Sequence, residues 1–169
     1  MLRQATDDDV HLMLSWRNQD INRQVSTTRH EITPAEHATW WSQVRADPAR
    51  QVLVYVREQV PCGVVTFFDL RLDGPRTAGW GFYLDAEGLA ARGETLPAWL
   101  EVMREAVDHA FDVLALDRLD GEVLAHNTVV RRMNRRFRFV EGTPRRAEVD
   151  GQEIEIIPIS LDRDDRRRR

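Results

Sequence analysis

Lysine is absent from this chain: all 24 of its basic residues are arginine. No ε-amine is available to form a Schiff base, which removes one route to covalent catalysis. Cysteine occurs once, at Cys62, so no internal disulfide can form, and a lone thiol fits a reducing compartment such as the cytoplasm. In its strand-like surroundings that thiol reads as a small buried apolar side chain. Long apolar runs are missing too. None approaches the ~20 residues that a membrane span needs, and the opening Met1-Leu-Arg-Gln-Ala-Thr lacks the apolar stretch of a secretory signal. Histidine and cysteine nowhere cluster at metal-ligand spacing, and no Gly-x-Ser-x-Gly elbow presents a nucleophile. A net charge of -4 gives no electrostatic case for nucleic acid as a partner.

What is present fits one soluble domain. The 169 residues contain 42% hydrophobic and 31% charged side chains and show no internal repeat or linker. Residues 1–161 read as the domain, and the run Asp162-Arg-Asp-Asp-Arg-Arg-Arg-Arg169 as a charged, disordered tail. Leu2 to Gln4 reads as a first strand. Thr6 with Asp9 forms a capping box ahead of a helix that ends near Trp16-Arg17-Asn18. Thr33-Pro34-Ala35-Glu36 opens a second helix, with a cap, a proline at the first helical position and a glutamate at the third.

Three β-rich runs follow, Gln51 to Arg57, Val60 to Leu70 and Thr77 to Leu84, separated by polar or Gly-Pro turns. Leu100, Met103, Val107, Phe111 and Leu114 then recur at three- and four-residue spacing on one helix face. Leu119 to Leu124 is a strand, Val130, Met133 and Phe137 mark another helix, and Ile154 to Leu161 closes the sheet. Pro158 assigns that last strand to an edge or an irregular position. The order β-α-α-β-β-β-α-β-α-β describes an α/β domain with an antiparallel meander leading into one strand-helix-strand crossover.

Leu119-Asp-Gly-Glu-Val-Leu-Ala-His-Asn127, its following arginine-rich helix and the exit Phe137-Arg-Phe-Val-Glu-Gly142 carry the main resemblance. They resemble the segment of the GNAT acyltransferase superfamily in which an Asn precedes a helix, a Gly-Phe pair and a Glu-Gly. The resemblance implies a single GNAT-like domain whose mixed central sheet has splayed middle strands flanked by helices. It implies a thioester donor, acetyl-CoA or another acyl thioester, whose pantetheine arm lies beside Phe82, Tyr83 and Leu84 and is held by Asn127. It also implies that the loop Ala91 to Ala98 meets the pyrophosphate through Arg92, Gly93 and Thr95. The chain departs from the superfamily pattern at three places. Thr95 and Pro97 stand where two loop glycines are expected, and Arg138-Phe139 replaces Gly-Phe. Asn134 occupies the position of the Tyr or His that protonates the departing thiolate. Asn134 cannot act as an acid, so Tyr83 is the alternative proton donor. A thiolate, with a pKa near 8.5, is itself a tolerable leaving group.

Trp16-Arg17-Asn18 and Glu36-His37-x-x-Trp40 are similar to amino-sugar-nucleotide N-acetyltransferases of the pseudaminic-acid type. On that resemblance Arg17, Asn18, Glu36, His37 and Trp40 form the acceptor site. Arg17 would bind an acceptor phosphate or carboxylate, and His37 would take the proton of the attacking amine. His126 and Glu122 are the other candidate bases. The expected reaction is direct acyl transfer, without metal, to an amine of a small polar metabolite such as an amino-sugar nucleotide. Two alternatives stand beside it. One is a biosynthetic enzyme that takes its acyl group from the phosphopantetheine arm of a carrier protein; the other is a catalytically silent binding module. The partners implied are a small-molecule acceptor and, on the second reading, an acyl carrier protein, with homodimerisation left open.

Overall fold

A computed structural model describes residues 1–149 and 151–167. Eight strands form one mixed sheet in the order β1-β2-β3-β4-β5-β8-β6, with β7 also paired to β8. β1 (Leu2–Gln4), β2 (Gln51–Arg57), β3 (Val60–Arg71) and β4 (Thr77–Leu84) build an antiparallel meander. Between β2 and β3, Glu58 and Gln59 both take left-handed φ, 49° and 67°, as a two-residue hairpin turn that matches strand twist requires. β5 (Arg118–Leu124) then joins β4 in parallel, and β8 (Gln152–Asp162) pairs antiparallel with β5.

Alternation along the strands sends alternate side chains to two helix layers. One face packs Val52, Val54, Val56 and Val64 against α1 (Val10–Arg17) and α3 (Pro34–Ala46), through Met13, Trp16, Trp41 and Val44. The other packs Tyr55, Val65, Phe67, Trp80 and Leu119 against α5 (Thr95–Asp108) and α6 (Thr128–Arg136). Both capping boxes are formed. At α3 the Thr33 hydroxyl accepts from Glu36 N at 3.2 Å, and the Glu36 carboxylate accepts from Thr33 N at 2.7 Å. Cys62 is fully buried in the second layer, as expected for a structural thiol.

Four short elements carry no clear periodicity: α2 (Asp20–Gln24), α4 (Ala86–Ala91), β6 (Val140–Glu141) and β7 (Arg145–Val149). The last two correct the expectation for Pro158. β8 is flanked by β5 on one side and by β6 and β7 on the other, so it is not an edge strand. The Pro158 carbonyl accepts from Gly142 N at 2.8 Å, so its nitrogen, which bears no hydrogen, faces the same gap between β6 and β7. Pro158 thus sits where no ladder bond is lost.

Much of the stretch expected as a tail is ordered among the described residues. Asp162 still pairs with Arg118, and Arg163–Arg167 form α7. Arg166 holds it down, bonding Asp108 at 2.6 Å and Asp112 at 2.7 Å with its guanidinium 5.7 Å from the Phe111 ring. Residues 168 and 169 lie outside the described residues. Nearby, Arg131 grips Glu141 with two nitrogens at 2.9 Å each and ties α6 to β6.

Arg138 ends α6 in a Schellman turn. Its N–H donates to Arg135 O and that of Phe139 to Asn134 O, both at 3.0 Å, with Arg138 at φ 68°. This left-handed position costs a residue with a side chain about 1–2 kcal/mol and costs glycine almost nothing. Arg138→Gly should therefore stabilise the fold by about 1 kcal/mol. The test is the midpoint of chemical unfolding; a midpoint that stays or falls means the Arg138 bond to Asp165 O, 3.1 Å long, outweighs the backbone strain.

His37 supplies a pH dependence. It is 4% exposed, neither ring nitrogen has a partner among the described residues, and its ring lies 5.0 Å from that of Trp40. Burial, and secondarily the charge of His11, holds its pKa below the ordinary value near 6.5. As pH falls the unfolded chain is protonated first, so this stability is full above about 6.5 and is lost as pH falls through the folded value. Burial lowers His109 in the same direction. Unfolding free energy measured from pH 8 to pH 5 should decline, and His37→Gln should flatten part of the slope. An unchanged slope would mean that the His37 ring is solvated in solution.

Candidate active site

The site originates in a ladder that stops. β4 and β5 pair only at Thr77 with Arg118, Ala78 with Leu119 and Gly79 with Asp120. From Trp80 to Leu84 on one strand, and from Gly121 to Leu124 on the other, they diverge, as the splayed-strand resemblance requires. Registers with the outer neighbours settle which backbone groups are left over. Asp85 N bonds Cys62 O, so odd-numbered residues of β4 bond to β3 and the N–H and C=O of Phe82 face the gap. Because Pro158 turns its polar groups away from β5, those of its partner Glu122 also face the gap. Unpaired backbone groups this far inside a sheet call for a ligand or water.

A cavity of about 530 Å³ fills the gap. Strand alternation divides its walls. Trp80, Phe82 and Leu84 share a face with Trp99 of α5 and with Val130 and Asn134 of α6; Tyr83 and Glu122 share the opposite face with Ile21, Val25 and Thr27 around α2. Trp80 stacks on Phe82 and on Phe139, each at 5.6 Å, and Phe82 leans on Trp99 at 6.2 Å. The Trp80 indole N–H is buried without a partner among the described residues. Asn22 closes one end, donating to Trp16 O at 2.7 Å and to Leu84 O at 2.8 Å. Trp80, Trp99 and Asn22 escaped the sequence reading. The first two have a readable signal, since Trp80 lies two residues before Phe82 on the same strand face and Trp99 one helical turn beyond Thr95.

Of the donor-side residues expected from sequence, the cavity wall contains Phe82, Tyr83, Leu84, Thr95, Asn127 and Asn134. Asn127 also caps α6, its side chain accepting from Val130 N at 3.2 Å. Asn134 is 4% exposed and its side-chain amide has no partner among the described residues. Arg92 and Gly93 do not reach the wall. They terminate α4, and Arg92 is engaged by Glu94 at 3.0 Å. α5 begins at Thr95 with no side-chain cap; Ala98 N is spent on Glu94 O and Pro97 has no N–H, so Thr95 and Leu96 supply its free donors.

The acceptor-side residues are more dispersed. Arg17 stands behind Tyr83, giving one nitrogen to Thr28 O at 2.9 Å while another is buried without a partner. Burial lowers the Arg17 pKa, opposed by Tyr83; burial likewise pushes the Tyr83 phenol above its ordinary value, opposed by Arg17. Asn18 exchanges two hydrogen bonds with Ile32 and pins the loop between α2 and α3. Glu36 serves the α3 cap and bonds His30 at 3.1 Å, so hydrogen bonds from Thr33 lower its pKa first and that from His30 next. His37 and Trp40 lie in the layer between α1 and α3, away from the cavity wall. His126 is an exposed turn residue outside the wall, whereas Glu122 lines it and bonds Arg145 of β7 at 2.5 Å. Among the described residues no group of acidic, histidine or cysteine side chains is arranged to hold a metal, and no helix is long and apolar enough to cross a membrane.

Comparison with known proteins agrees with this geometry. The spermidine N-acetyltransferase of Vibrio cholerae, solved with CoA and spermine, superposes with a TM-score of 0.80 at 17% identity, covering 98% of this chain and 96% of that one. The N-acetyltransferase PseH of Campylobacter jejuni, solved with acetyl coenzyme A, gives 0.65 at 14% identity, covering 96% and 99%. At such identities the likeness is one of fold. No curated protein matches significantly in sequence. The acetyltransferase (GNAT) domain model matches residues 1–140, and with most of its length inside that match the chain belongs to the GNAT acetyltransferase family.

Proposed function

We propose that the protein moves an acetyl group from acetyl-CoA to a primary amine of a small polar metabolite, with an amino-sugar nucleotide favoured by the Trp16-Arg17-Asn18 pattern. The observation that carries this reading is the gap between β4 and β5. It leaves the backbone of Phe82 and of Glu122 unpaired along the cleft. A pantetheine arm, with two amides spaced along a thin chain, suits such walls.

The proton-accepting role expected of His37 passes to Glu122 in this proposal, because Glu122 is the carboxylate on the acceptor face of the cleft. It removes the proton of the attacking amine. The nitrogen then adds to the thioester carbon, the carbon–sulfur bond breaks, and the thiolate leaves toward Asn134. Asn134 donates a hydrogen bond to the sulfur without giving up a proton. Tyr83, held protonated by its burial, offers an O–H to hydrogen-bond the reacting groups, and the thiolate, a weaker base than that phenolate, takes its proton from water. Arg17, with one nitrogen free behind Tyr83, is the group that would meet an acceptor anion.

A second reading, a carrier-protein donor, draws on α5. Pro97 removes one N–H, and Glu94 neutralises Arg92 where a pyrophosphate would bind. Titrating the protein with CoA and with pantetheine separates the two. Acetyl-CoA stands if CoA binds at least about tenfold tighter, the equivalent of one charge-assisted hydrogen bond; equal affinities favour the carrier protein.

Glu122→Gln should lower kcat/KM by ~10²-fold or more. A loss of that size in His37→Gln, with Glu122→Gln near normal, would return the base to His37. Tyr83→Phe should lower kcat with little change in KM for either substrate, as expected for an interaction made in the transition state; a pure KM effect would make Tyr83 a wall of the acceptor pocket.

A further inference from the structure

The Trp80 side chain holds a polar group that the scheme above leaves idle. Trp80 is 6% exposed, lines the cleft, and its indole N–H has no acceptor among the described residues. An unsatisfied buried donor costs about 1–3 kcal/mol, so its persistence at this position needs an acceptor that arrives later. Trp80 is the first residue of β4 beyond the last pair with β5, and Gly121 is the first of β5. They therefore mark the closed end of the gap. An arm threaded from the Leu84 and Asn127 end can advance no farther, so its leading, reacting carbonyl stops here. Gly121 makes the approach possible: a Cβ there would lie 3.2 Å from the indole nitrogen and 3.3 Å from Ile159. The ring is fixed between Phe82 and Phe139, and Phe139 N bonds the backbone carbonyl of Asn134.

From this geometry we infer that the Trp80 indole N–H donates to the thioester oxygen and stabilises the negative charge that forms there during acyl transfer. This rests on the acyltransferase reading. When the amine nitrogen adds to the carbonyl carbon, the C=O π pair moves onto oxygen; the N–H binds that oxyanion more tightly than the neutral carbonyl, and the pair returns as the carbon–sulfur bond breaks. No proton leaves the indole. A rigid, dry donor already in place is the arrangement in which such stabilisation is largest.

Trp80→Phe keeps a stacking ring and deletes the N–H. We expect kcat to fall by ~10²-fold, with KM for acetyl-CoA and the pH profile unchanged. Affinity for CoA itself, which lacks the thioester carbonyl, should also be unchanged in calorimetry. Gly121→Ala, which crowds the indole without touching the chemistry, should lower kcat in the same sense. Acetonyl-CoA labelled with ¹³C at its ketone gives a readout independent of turnover. Its carbonyl stretch should be red-shifted when bound to the native protein and should move back in Trp80→Phe. An unshifted carbonyl in the native complex, or normal kcat in a folded Trp80→Phe variant, overturns the proposal. Failure of the native protein to bind acetonyl-CoA at all would instead overturn the acetyl-CoA donor on which it rests.

Discussion

Three residue pairs join β4 to β5, and the sheet then opens along the rest of both strands. Everything functional depends on that interruption. A continuous parallel ladder would satisfy its own N–H and C=O groups and leave no room between the strands. The break instead leaves polar backbone directed into a cavity, a condition that proteins tolerate where a ligand or ordered water completes the bonding. The outer ladders permit it. β3 holds β4 over seven register pairs, and β8 holds β5 over seven more, so neither wall depends on the missing contacts. A backbone-lined cleft also explains why the site tolerates change in its side chains. Recognition of an extended arm by strand backbone does not depend on which residues the strands carry.

Chemistry on the two walls is separated by strand parity. One residue along β4 exchanges one wall for the other, so Phe82 and Tyr83 face opposite sides of the cleft while adjacent in sequence. Under the proposed acyl transfer, with Asn134 in place of an acid, the cleft offers donors that stay protonated, namely an amide, a phenol held neutral by burial, and an indole. Such a site works by stabilising charge more than by transferring protons, and it suits a thiolate, which leaves readily as an anion.

The fold was largely readable because its long elements announce themselves. Both capping boxes, the Leu100 to Leu114 stripe and the three alternating strands reflect strong local preferences that tertiary structure had no reason to override. The short elements were not readable: β6 has two residues and α2 has five, too few for a period. Pro158 was half readable, since a proline forbids a ladder bond but does not say which neighbour will be missing. The site divided along similar lines. Residues on the splayed strands and on α6 follow from the resemblance around Asn127, whereas the acceptor side depends on how α1, α2 and α3 fold over the sheet. His37 illustrates the difficulty. Its type and spacing suit a base, yet α3 turns it toward Trp40 and α1, where it acts on stability instead.

The ion pairs that brace this scaffold also have a chemical property suited to their setting. Arg131 on Glu141, and Arg166 on Asp108 and Asp112, are forks between guanidinium and carboxylate that fasten α6 and α7. Lysine in those places would supply equal charge but also a nucleophilic amine, which reactive thioesters modify without any enzyme, cancelling the charge. Guanidinium remains protonated far above neutral pH and offers no such amine. These arginine forks are therefore inert toward acyl thioesters, and long exposure to a high concentration of such a donor would leave the fastenings of α6 and α7 unmodified.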